Sequence, residues 1–103
     1  MTKNSYNLPR GVVPYLRGIP EVYPSLKVML DDNVALTKRD IVSYSNIDNN
    51  DESHKIDGII RRLRDNGIIK KARVGKDKTA QWMVSPSLST HLKKFLVLEG
   101  VYG

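Results

Sequence analysis

Ile56, Ile59, Ile60 and Leu63 fall at i, i+3, i+4 and i+7, and Gly67 stands four residues beyond the last of them. That spacing puts four large aliphatics on one stripe of an α-helix. A glycine just after Asn66 is a natural helix end. The pattern predicts a helix over residues 51–66, capped by Asn50 or Asp51, with Glu52 near the positive end of its dipole. Burying the stripe fixes where the charges go. With Ile56 pointing inward at 100° per residue, His54, Gly58, Arg61 and Asp65 point away from the core. Lys55 and Arg62 lie on one flank, and Arg64 lies on the other.

Two β-prone runs follow, residues 68–74 and 79–85, joined by a short loop containing Gly75. They predict a hairpin. In its second strand Ala80, Trp82 and Val84 share a face, which marks Trp82 as a core or hairpin-root residue rather than a stacking platform for a base. Upstream, Val22, Leu26, Met29 and Leu30 predict a helix over 21–32, with Pro24 in the first turn where a missing N–H costs nothing. Residues 34–36 suit a short strand. Thr37 with Asp40 three residues on reads as a capping-box variant, opening a helix whose apolar positions are Ile41, Val42 and Tyr44. Ile47 is a core candidate in the turn beyond. Leu88, Leu92, Phe95 and Leu96 predict a last helix over 87–98. Residues 1–20 hold Pro9, Pro14 and Pro20 with Gly11 and Gly18 between them, and read as a partly ordered arm without regular structure, whose Leu8, Val12, Val13, Tyr15, Leu16 and Ile19 offer part of it for packing on the body in extended form. The expected organisation is therefore an arm over 1–20, a domain over 21–85 and a terminal helix over 86–103.

Charge is the next constraint. The 103 residues carry a formal net charge of +6. Residues 1–54 sum to −1 and residues 79–103 to +1, so the whole excess sits in residues 55–78, where nine Lys/Arg face three acids. A local positive field of this kind attracts polyanions. Other classes find no support. There is no cysteine for a disulfide or thiolate metal site. His54 and His91 have no spaced carboxylate partners, and no phosphate loop or nucleophile elbow occurs, so no enzyme, metal or cofactor is expected. No apolar run is long enough for a signal peptide or a membrane span, and the expected location is the cytoplasm.

The order helix, helix, turn, basic helix, basic hairpin, final helix resembles the winged helix-turn-helix family of DNA-binding proteins. The match rests on Ile56, Ile59, Ile60, Leu63, Gly67, Ile68, Ile69, Lys70 and Lys71, and residues 36–44 look like the family's positioning helix. The resemblance covers about residues 21–98. It implies an α+β, mostly helical fold: a winged helix, meaning a three-helix core with a β-hairpin wing, plus a C-terminal helix. It also implies a double-stranded DNA partner and a role in transcription regulation, with the 51–66 helix in the major groove and the wing on the backbone or minor groove. The chain departs from many members by carrying Asp57 and Gly58 where they have a small hydroxyl residue followed by Arg. The turn at 48–52 is also acidic.

The candidate nucleic-acid contacts are Lys38, Arg39, Ser53, His54, Lys55, Gly58, Arg61, Arg62, Lys70, Lys71, Arg73, Lys76 and Lys78. Thr37 is assigned to capping. The last helix has more apolar surface than a small core needs, so Leu88, Leu92, Phe95, Leu96 and Leu98 are assigned to pairing with a second copy. No small-molecule ligand and no membrane partner is expected. Two rival readings use the same surface. One is a winged-helix protein-interaction module, favoured by Asp57, Gly58 and the acidic turn. The other is RNA binding.

Overall fold

The 51–66 pattern sets the frame. In the computed structural model, which describes residues 8–45, 50–72 and 79–102 (of 50–53 the backbone only), this stretch becomes helix α4, Asn50–Asp65. The preceding elements are helix α1, Val12–Arg17; a 3₁₀ turn, Pro20–Val22; helix α2, Tyr23–Asp32; strand β1, Leu36–Thr37; and helix α3, Lys38–Tyr44. After α4 come strand β2, Ile69–Lys71, strand β3, Gln81–Val84, a second 3₁₀ turn, Pro86–Leu88, and helix α5, Ser89–Leu98.

Local chemistry accounts for the boundaries. At the start of α3 the Asp40 N–H donates to Thr37 Oγ1 at 3.2 Å, and the Thr37 N–H donates to Asp40 Oδ2 at 3.1 Å. The capping box is complete, satisfying two backbone donors that a helix start leaves orphaned. At the end of α4, Gly67 takes φ 77°. Its N–H donates to the Arg64 carbonyl at 3.0 Å, and the Ile68 N–H donates to the Leu63 carbonyl at 2.9 Å. This double closure is the Schellman arrangement, and it needs the left-handed backbone that glycine adopts without steric cost. Ile68, fully buried, is thereby turned straight into β2.

The sheet is antiparallel with order β1-β3-β2. β3 is central: Trp82 faces Leu36 on one side and Lys71 on the other, and Val84 faces Ile69. The strand predicted at 34–36 forms instead over Leu36–Thr37, at the sheet edge. The hairpin tip, with the expected contacts Arg73, Lys76 and Lys78, lies outside the described residues, as does Ile47.

One buried cluster serves the described chain. The α4 stripe enters it as predicted: Ile56, Ile59, Ile60 and Leu63 are all buried. Leu26 and Met29 of α2, Ile41 of α3, Ile69 of β2 and Val84 of β3 pack with them. The N-terminal segment corrects the sequence reading. Leu8, Val12, Leu16 and Ile19 belong to the same cluster, and residues 12–17 are helical. Pro14 is tolerated because it stands third in α1, where its missing N–H has no intrahelical partner. Tyr23 fastens the segment by donating its hydroxyl to the Leu16 carbonyl at 2.7 Å.

The C-terminal helix is the second correction. Leu92, Phe95 and Leu96 are completely buried in this core, so the face assigned to a second copy is used within the chain. Leu88 is half-buried against the cluster, and only Leu98, beside Val97, is left exposed. Tyr44, expected as an apolar contact of α3, is 46% exposed. In a helix of seven residues, Ile41 is the one fully buried position.

Candidate nucleic-acid interface

The charged face of α4 follows from the burial of its stripe. With Ile56, Ile59, Ile60 and Leu63 inside, His54, Lys55, Asp57, Gly58, Arg61, Arg62, Arg64 and Asp65 are all exposed. Ser53 lies in α4, with its side chain outside the described set. β2 continues the surface, with Ile69 buried and Lys70 and Lys71 exposed. Thus α4 and β2, joined through Gly67, leave Arg61, Arg62, Lys70 and Lys71 exposed.

The structure sorts the predicted cations by what they already hold. Lys38, first residue of α3, places its Nζ 2.8 Å from Asp57 Oδ2 on α4. Lys55 lies 2.9 Å from Glu21 Oε1. This oxygen is buried, and Lys55 is its ion-pair partner. Burial alone would raise the Glu21 carboxyl, but Lys55 and the backbone outweigh it and hold the group below its ordinary value. The Arg62 guanidinium sits over the Tyr15 ring, 4.9 Å from its centroid. Burial raises the Tyr15 phenol, with the Arg62 charge pulling the other way. Arg64 donates to its neighbour Asp65. Arg39, His54, Arg61, Lys70 and Lys71 form no ion pair among the described residues.

The expected flank of α4 bearing Lys55 and Arg62 therefore exists, and it is occupied by the N-terminal segment through Glu21 and Tyr15. Sequence reasoning missed both residues. Nothing in their local spacing points to a helix thirty or more residues away, and only the burial of Val12, Leu16 and Ile19 brings them there.

Between the flanks, Gly58, Arg61, Arg62, Asp65 and Asn66 line an open hollow of about 390 Å³. Two guanidinium groups and the Asp65 carboxylate share its lining with Gly58. Among the described residues no group of three or more His, Cys, Asp or Glu could hold a metal ion. Nor is any helix there long and apolar enough to cross a membrane. Comparison with protein-family models, with curated proteins and with solved structures gave no match.

Proposed function

We propose that this chain is a winged-helix protein that binds double-stranded DNA, with α4 in the major groove and the β2–β3 hairpin as the wing. On this reading α2, α3 and α4 form the three-helix core, and β1 is the third strand against which the wing is anchored. Regulation of transcription is the role such binding would serve.

One observation carries the reading. The two acids exposed on the described part of α4 are each paired with a cation, Asp57 with Lys38 and Asp65 with Arg64, while Arg61, Lys70 and Lys71 remain exposed with no ion pair among the described residues. An approaching polyanion would meet uncompensated positive charge on α4 and on β2. A helix 10–12 Å across its side chains is also the shape that a major groove about 12 Å wide admits. Lys38, Lys55 and Arg62 already have partners in Asp57, Glu21 and Tyr15, and on this reading they are not free phosphate contacts.

The test is a duplex titration followed by fluorescence anisotropy over a range of salt. Log affinity should fall linearly with log salt, by roughly 0.9 for each phosphate contacted. The triple substitution Arg61→Ala, Lys70→Ala, Lys71→Ala should flatten that slope and leave the fold intact, since none of the three is buried. No duplex binding at low salt would overturn the proposal. Tighter binding to single-stranded or A-form RNA would replace it with the RNA reading.

A further inference from the structure

Gly58 lies in the interior of α4, eight residues from its start and seven from its end. Glycine there costs helix stability, roughly 1 kcal/mol relative to alanine. The usual internal reasons for it are absent. Its φ is not among the positive ones, which belong to Gly11, Gly67 and Gly100. A Cβ built on it would meet nothing within 4 Å among the described residues. Nothing among the described residues, then, requires the missing side chain. The site is exposed and lines the hollow together with Arg61, Arg62, Asp65 and Asn66.

We infer that Gly58 is the point of closest approach to the bound duplex, where a base-pair edge in the major groove meets bare helix backbone. The inference rests on the DNA reading above and adds the residue that sets the depth of insertion. Charge complementarity selects the occupant. Arg61 stands one turn further along the same face, where its guanidinium can donate to guanine O6 and N7 once the helix axis is low enough. A side chain at position 58 would lift the helix away from the bases and lengthen those contacts.

The test separates folding from binding. In the full chain, Gly58→Ala should raise the thermal midpoint, by about 4–8 °C if the propensity gain is realised in full. The same variant should bind more weakly to duplexes that the unaltered chain enriches from a random library. Gly58→Leu should weaken binding by at least about tenfold, the size of a lost base contact. More stable variants that bind those duplexes as tightly as the original would overturn the inference and leave the DNA reading standing. A Gly58→Ala variant that loses stability would also overturn it, because glycine would then have an internal role. If the unaltered chain binds duplex but enriches no sequence, this inference falls alone; if it binds no duplex at low salt, both readings fall together.

Discussion

Asp57 is the residue at which the basic surface of α4 is most nearly spoiled, and the Lys38–Asp57 contact decides its effect. Both side chains are close to half exposed, at 40% and 48%. An ion pair so placed contributes only about 0–1 kcal/mol to stability. Its electrostatic role is larger than its structural one, because it cancels a positive charge and a negative charge on the proposed DNA face. Asp57→Asn should therefore release Lys38 and remove a carboxylate from the path of the phosphates. Duplex affinity should rise by about fivefold, near 1 kcal/mol. The log–log salt slope should steepen by roughly 0.9 if Lys38 takes up a phosphate. The urea midpoint should barely move. Anisotropy and urea titrations on the same variant check all three. Weaker binding would show that the pair instead positions α4 against α3.

At the scale of elements, α1 sets the sharpest demand. Six residues are too few to hold a helix by hydrogen bonding alone, so its stability comes from packing. Leu16 is completely buried in the shared core. Leu16→Ala should cost about 2–5 kcal/mol, read as a lower urea midpoint with an unchanged slope. A peripheral arm would give a shift near zero. This is also where legibility in the sequence divides. α4, the capping box at Thr37 and the closure at Gly67 could be read because each is encoded within a few neighbouring residues. Among the predicted contacts, the exposed placement of Arg61 followed directly from the stripe that had to be buried. α1 could not be read as a helix, because prolines and glycines dominate its local signal, and the four buried aliphatics of its segment, Leu8, Val12, Leu16 and Ile19, find their partners far along the chain. The surplus apolar surface assigned to dimerisation on α5 arose from the same omission. Once residues 8–19 are counted into the core with Leu92, Phe95 and Leu96, little surplus remains.

Across the whole molecule, the two ends of the described chain are fastened to the middle by tyrosines. Tyr23 donates to the Leu16 carbonyl and meets Phe95 edge-on, with ring centroids 6.0 Å apart at 84°. Arg17, on the segment that Tyr23 holds, reaches Glu99 just beyond α5 at 3.2 Å. Tyr102 donates to Asp31 Oδ1 at 3.0 Å and lies within cation–π reach of Lys27 and Lys93, at 5.3 and 5.6 Å. It thereby joins the C-terminus to both α2 and α5. Burial, reinforced by the Glu99 charge, pushes the Tyr23 phenol up to about 12. Burial and the hydrogen bond to Asp31 do the same for Tyr102, again to about 12. The ordinary value is 10.0, so between pH 10 and 12 the folded chain keeps protons that the unfolded chain releases. Stability must then fall as pH rises through that window, while below pH 10 the contribution is complete. Alkaline titration followed by phenolate absorbance and circular dichroism should show late ionisation of these tyrosines accompanying loss of helix. Tyr102→Phe keeps the ring between the two lysines but has no proton to lose, so it should reduce the pH dependence of stability between 10 and 12. Ionisation of both phenols near pH 10 with the helices intact would mean that neither hydroxyl is held as described.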